Sequence, residues 1–216
     1  MAVNKLRDIG EGISGEFLMV LAMATPFLRY WRCWGATDAE VNRALPGDES
    51  VPRPKGGYTH AITIRAPRER VWLWLAQVGQ GRGGFYSYDF LENLVGCNIH
   101  SVDKIIPEYQ RHETSEGLRL HPKMLPMPLA AFEEGKMLLF GGKTDPNTPV
   151  SWLFLLNDID GNKTRLISRW RFAYKPSLGS RTGYAILEPI ARVMQRKMLL
   201  GLKKRAEASA IPFSET

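Results

Sequence analysis

The segment from Tyr184 to about Ala208 limits the folds open to this chain more than any other. Apolar Leu187, Ala191, Met194, Met198 and Leu202 recur there at helical spacing and form one stripe, while Arg192, Arg196 and Lys203 gather on the opposite side. Lys197 falls inside the apolar arc, where its stem covers apolar surface and its ammonium reaches solvent, or its charge enters a cavity. A single amphipathic helix with so broad an apolar face needs a sheet to cover it.

The preceding residues offer that sheet. Tyr58 to Arg65 alternates, with His60, Ile62 and Ile64 on one face and Thr59, Ala61, Thr63 and Arg65 on the other. Pro67 suits the first position of a helix, and Val71, Leu75 and Val78 repeat at helical spacing from Arg68 to Val78, widened by Trp72 and Trp74. After a run of glycines, Ser87 can cap a second short helix through Val95, with Asp89 near its positive end. Short strands then recur at about 117–121, 127–133, 136–140, 150–157 and 164–174. Glu134-Gly135 and Asp160-Gly161 are hairpin signals, so the later strands pair antiparallel, which argues against a doubly wound α/β fold. The expected class is α+β: a curved antiparallel sheet of six or seven strands around the long C-terminal helix, with two short helices after the first strand. A sheet bent around a helix readily leaves space between them.

A length of 216 residues fits one domain with an appendage. Thr37-Asp38-Ala39-Glu40 is a capping box for a short helix running to Leu45. Pro46 and Gly47 stop it, and Pro52, Pro54, Gly56 and Gly57 make a linker, so residues 1–57 form a helical appendage and 58–210 the main domain. Within the appendage, the apolar run Phe17 to Leu28 has 12 residues and contains Pro26, against the roughly 20 needed to span a bilayer. Arg29, Tyr30, Trp31, Arg32 and Trp34 follow it, a mixture that suits the lipid–water boundary. A helix packed on the domain is the preferred reading, and membrane contact through residues 17–34 the alternative. Acidic Asp8, Glu11 and Glu16 ahead of a short apolar run do not make a secretory signal. Cys33 and Cys97 have neither disulfide-framework nor zinc spacing, which points to a reducing, cytoplasmic setting, with membrane association as the alternative.

The net charge of +7 favours anionic partners in principle. Residues 1–57 carry seven basic and seven acidic side chains, so the excess lies in the main domain. Arg165, Arg169 and Arg171 share one strand face, where they serve anionic lipid or, as the preferred reading, solvate the sheet's outside; no nucleic-acid site is implied.

Several motifs fail on context. Gly79-Gln80-Gly81-Arg82-Gly83-Gly84 has dinucleotide-fingerprint spacing, but a helix precedes it and antiparallel strands follow, so it reads as an elbow. Gly141-Gly142-Lys143-Thr144 lacks the earlier glycine of a phosphate loop, and Asp158-Ile159-Asp160-Gly161 is a hairpin turn rather than a calcium loop. His60, His100, His112 and His121 have no metal-ligand spacing, and no Gly-x-Ser-x-Gly nucleophile elbow occurs. No metal and no cofactor is expected. One polar concentration remains: Tyr86, Tyr88, Asp89, Glu92 and Asn93 around a helix start, with Asp89, Glu92 and Asn93 on one helical face. They either hold a ligand or brace the helix.

Trp34-Gly35-Ala36-Thr37, Leu45-Pro46-Gly47-Asp48, Ile64-Arg65-Ala66-Pro67, Val71-Trp72, the run from Gly79 to Asp89 and Ile99-His100-Ser101 together resemble bacterial proteins of the SRPBCC superfamily. That superfamily includes START lipid-transfer domains, plant pathogenesis-related allergens and polyketide cyclase/dehydrases. The resemblance covers nearly the whole chain and implies a START-like helix-grip fold with an internal cavity. It implies no single chemistry, because such folds include carriers, sensors and enzymes.

The preferred expectation is a non-catalytic binder of a small hydrophobic or lipid-like molecule between sheet and terminal helix. Strand alternation and the helix stripe line its cavity with His60, Ile62, Trp152, Phe154, Trp170, Phe172, Met194 and Met198. Tyr86, Tyr88, Asp89 and Asn93 would hold the ligand's polar end. The alternatives are an enzyme of cyclase or dehydratase type, with Asp89 or His100 as acid or base, and a peripheral membrane protein.

Overall fold

The computed structural model describes residues 28–111, 117–142 and 148–208. Strands β1 (Gly56–Ile64), β2 (Gly117–Leu118), β3 (Met127–Glu133), β4 (Met137–Gly142), β5 (Val150–Asp158) and β6 (Thr164–Phe172) pair antiparallel in the order β1-β6-β5-β4-β3-β2. The hairpins predicted at Glu134-Gly135 and Asp160-Gly161 join β3 to β4 and β5 to β6. The helices are α1 (Leu28–Arg32), α2 (Asp38–Asn42), α3 (Arg68–Ala76), α4 (Asp89–Leu94) and α5 (Leu178–Ala208). With 31 residues, α5 lies against the curved sheet, and the whole is a helix-grip arrangement.

Period-two alternation gives the sheet two apolar faces. The inner one packs Ile64, Phe154 and Leu166 against Trp72 and Leu75 of α3 and Met198, Leu199 and Leu202 of α5. On the outer face, Ala61, Leu139, Leu153, Leu155 and Ile167 are covered by Leu45 and Ala36. The N-terminal segment is therefore packed on the sheet. Its capping box forms as read: the Glu40 amide donates to Thr37 Oγ1 at 3.2 Å and the Thr37 amide to Glu40 Oε2 at 2.8 Å, although α2 ends at Asn42.

Arg165, Arg169 and Arg171 do not solvate the outer face; they clamp this segment. Arg165 holds Glu40 through Nε and Nη2 at 2.7 Å each, Arg171 reaches Asp48 Oδ1 at 2.6 Å, and Arg169 donates to Asp48 Oδ2 at 2.7 Å. Arg169 also donates to the carbonyls of Glu40, Val41 and Arg43 at 2.6, 2.8 and 3.0 Å and to Thr59 Oγ1 at 3.0 Å. The bonds from Arg165 lower the Glu40 carboxyl to about 2. At the edge of the sheet, the Ala61 amide of β1 donates to the Trp34 carbonyl at 3.1 Å. Gly35 is required beside it, because its φ is +69° and a side chain would strike the Ala61 carbonyl.

Two expectations for the terminal helix change. It starts at Leu178 rather than Tyr184, with Ser177 Oγ accepting the Ser180 amide at 3.1 Å. Among the described residues, its first turns are covered on the Tyr184 side only, where that ring stacks on Phe172 and Tyr174, so Leu187 is 59% exposed although it belongs to the apolar stripe. Arg192, expected in solvent, is 2% exposed, because the side away from the cavity is packed as well. Close packing further along depends on Gly201, where any side chain would collide with the Tyr86 backbone. Lys197 sets its ammonium over the Tyr88 ring, 5.2 Å from the centroid.

Phe17 to residue 27, His112, Lys143 and Thr144 lie outside the described residues. Among the described residues, no helix is long and apolar enough to cross a membrane. Trp31, in the segment read for membrane contact, is instead buried with Tyr88 and Val193, while Tyr30 is exposed.

Candidate functional site

A cavity of about 190 Å³ lies between the sheet and α5. Tyr58 of β1, Trp152 of β5 and Trp170 of β6 form its strand wall, and Ala191, Met194, Gln195 and Met198 its helix wall. Phe85, Ser87, Glu92, Cys97, Ile99 and Leu120 close the rest. The aromatic groups support one another: Trp152 meets Trp170 edge to face at 5.1 Å and Phe85 at 6.5 Å. The Trp152 indole N–H donates to Ser168 Oγ at 3.0 Å, so this wall presents carbon to the space. Ser87, expected to cap α4, ties the loop to the helix wall instead, donating to the Met194 carbonyl at 3.0 Å.

Two of the lining side chains carry buried polar atoms that have no partner. Glu92 projects from α4, is 8% exposed, and has no hydrogen-bond partner for Oε2. Burial, reinforced by the charge of Asp89, pushes its carboxyl up to about 8, so at neutral pH it is mainly a neutral acid. Gln195 is 3% exposed, and neither its amide oxygen nor its amide nitrogen has a partner. Each polar group left unbonded in such surroundings costs about 1–3 kcal/mol. Burial and the neighbouring Glu92 also raise the Cys97 thiol. The cavity thus presents a proton donor from one wall and an amide from another. Among the described residues, no group of three His, Cys, Asp or Glu side chains is gathered for a metal.

Of the residues read from sequence, Trp152, Trp170, Met194 and Met198 line this space, and the others do not. His60 faces inward but lies under α1, its Nε2 2.7 Å from the Trp31 carbonyl oxygen, and burial lowers it to about 4. Ile62 and Phe154 are packed in the inner core. Phe172 stacks on Tyr184 at 4.7 Å, away from the cavity. Tyr86, with φ +56°, accepts from Gln77 Nε2 at 2.8 Å and donates to the Trp74 carbonyl at 3.3 Å, bracing α3. Tyr88 is packed with Trp31 and Val193.

The candidate acids and bases are engaged elsewhere. Asp89 accepts the Ser101 amide at 2.6 Å and its hydroxyl at 2.7 Å. Asn93 exchanges two bonds with the Ile99 backbone, at 2.6 and 2.7 Å. His100 is exposed, 3.3 Å from Asn98 Oδ1. Asp89 and Asn93 therefore brace the loop after α4, while Glu92 from the same helix enters the cavity. Glu92 was named in the polar group at the helix start but not assigned to the cavity, and Gln195 was not singled out, yet both carried a signal. Gln195 occupies the i+4 position from Ala191 within the apolar arc, and Glu92 shares the helical face with Asp89 and Asn93.

No family model matches the chain, and no curated protein matches it. Among solved structures, it is similar to the Zhui aromatase/cyclase from Streptomyces sp. R1128, at 11% identity and TM-score 0.36, covering 74% of this chain and 99% of that one. A Polyketide_cyc-like protein from Corynebacterium glutamicum is similar at 15% identity and TM-score 0.33, with 70% and 87% covered. A protein from Arthrobacter aurescens follows at 14% identity and TM-score 0.39, with 74% and 92% covered. Likeness at this level brings no activity to the present chain.

Proposed function

We propose that this protein binds a small, uncharged, largely apolar molecule in the cavity between its sheet and α5, with one oxygen of the ligand held between Glu92 and Gln195. The carrying observation is a largely apolar space of about 190 Å³ whose lining includes two side chains, Glu92 and Gln195, with fully buried polar atoms that have no partner. A dry cavity of about 150 Å³ already holds a benzene ring, whereas drug-sized ligands need about 300 Å³ or more. The volume therefore suits a single ring or a short branched chain rather than a whole lipid. A neutral carboxylic acid donates one hydrogen bond and an amide both donates and accepts, a set that matches a hydroxyl or carbonyl group.

Native mass spectrometry of freshly purified protein searches for a retained molecule. Titration with benzyl alcohol, followed through Trp152 and Trp170 fluorescence, gives the affinity. Saturable binding that is lost in Ala191→Phe, with the fold retained, is the expected result; unchanged binding in that variant refutes the site.

A second reading, an acid-assisted reaction of cyclase or dehydratase type, is favoured by one observation. Burial raises the Glu92 carboxyl to about 8 in a largely apolar cavity, the condition of a general acid. Under this reading Glu92→Gln retains binding but loses turnover of the bound molecule, whereas a pure binder shows no turnover in either form.

A further inference from the structure

We infer that a second, separate site at the start of α5 binds an oxyanion, a phosphate or carboxylate group, on the buried guanidinium of Arg192. The site is a cavity of about 340 Å³ beside the first turns of α5. Four cationic side chains, Arg32, Lys55, Arg181 and Arg192, line it against one carboxylate, Glu188. Glu188 is oversubscribed: its Oε1 lies 3.5 Å from Arg192, 3.6 Å from Arg32 and 3.4 Å from the Gly57 amide. All three contacts are long for charge-assisted bonds, which run about 2.7–2.9 Å. One carboxylate cannot neutralise two guanidiniums, so positive charge remains.

Arg192 carries the inference because it is where that charge is buried. It is 2% exposed, and neither Nε nor Nη1 has a hydrogen-bond partner. A buried guanidinium with two idle N–H groups is expensive unless something supplies oxygen atoms to it. The edge of a guanidinium that takes a carboxylate or phosphate through two parallel bonds is Nε with Nη2; here, among the described residues, Nη2 is held only by the 3.5 Å contact to Glu188, and Nη1 offers a further donor on its other side. Lys55 and Arg181 stand exposed at the rim and add attraction without themselves being buried. The other wall is aromatic: Phe172, Tyr184 and Tyr174 stack at 4.7 and 4.3 Å, giving an apolar surface for whatever body carries the anion. The oxyanion therefore belongs to a free small molecule or to a lipid headgroup, which share this chemistry.

Inorganic phosphate is the probe, added to the full chain at an ionic strength matched with sodium chloride. It is expected to raise the thermal unfolding midpoint saturably, and Lys55→Ala/Arg181→Ala is expected to weaken its binding about tenfold or more. Those two residues are exposed, so this variant folds even if Arg192→Lys does not. Ala191→Phe, which fills the first cavity, leaves the phosphate effect intact, so the two sites fail independently. Sedimentation with phosphatidylcholine vesicles, with and without phosphatidic acid, distinguishes the sources. Binding that needs both phosphatidic acid and the rim cations assigns a headgroup; a phosphate effect without vesicle binding assigns a free anion. Equal midpoint shifts from phosphate and chloride, or a phosphate effect that survives in the double variant, overturn the site.

Discussion

Arg169 and Arg192 are both buried, at 5% and 2% exposure, yet they live in opposite conditions. On the outer face, Arg169 meets a carboxylate, a hydroxyl and three carbonyls. Beside α5, Arg192 shares one distant carboxylate and leaves two nitrogens idle. The carboxyls repeat the contrast: Arg165 drives Glu40 down to about 2, whereas burial drives Glu92 up to about 8. Where every polar atom is answered from within the chain, the network holds the structure together. Where atoms are left unanswered, the fold carries a cost that a ligand can remove.

The sharpest way to break this contrast is a pair of substitutions. Arg169→Met should cost about 3–5 kcal/mol, because Asp48 and the N-terminal carbonyls are left without a donor. Arg192→Met should cost less than about 1 kcal/mol or stabilise, since methionine replaces an unsatisfied charge with apolar volume. Urea unfolding of both variants measures the difference, and equal losses would dissolve the distinction.

The next effect is a pH slope. Above about 4.5 an unfolded Glu92 has released its proton while the folded one keeps it up to about 8, so this group makes stability fall across that window as pH rises. The slope is at most about 1.4 kcal/mol per pH unit. Glu92→Gln should remove it, making the variant more stable than the parent at pH 8 and nearly equal to it at pH 4. Glu40 has the opposite sign. Its depressed pKa contributes stability above about 4.5 that is lost as pH falls toward 2. Glu40→Gln should therefore cost about 1–2 kcal/mol at neutral pH, reduced by its contact with solvent, and nothing near pH 2. Smallest of all, His100→Ala should change stability by less than about 0.5 kcal/mol and leave benzyl alcohol binding unaltered, as its exposed position requires.

The positions of the strands and the two hairpins were legible because alternation and turn chemistry are local properties, whereas the pairing of β1 with β6 joins distant segments and no local pattern announced it. The cavity was half legible. Trp152, Trp170, Met194 and Met198 follow from strand and helix periodicity, which tells inward from outward. Periodicity does not tell which inward position meets space and which meets another side chain: His60 found Trp31 and Phe154 found Phe140. Asp89 and Asn93 were visible as a polar group, but their partners, Ser101 and the Ile99 backbone, come from a loop whose course no pattern announces. Arg192 was misread for a related reason. A helical wheel assumes one covered side, and α5 is covered on more than one.

The bond from Ala61 to the Trp34 carbonyl, with Gly35 close against the same residue, has a consequence for assembly. At Ala61 the edge amide is taken by the chain's own backbone rather than left open, so a second molecule adding a strand beyond β1 would have to displace this segment at that point. Strand addition is disfavoured at that point of the edge, and a side chain at Gly35, which would strike the Ala61 carbonyl, is the change that would loosen it.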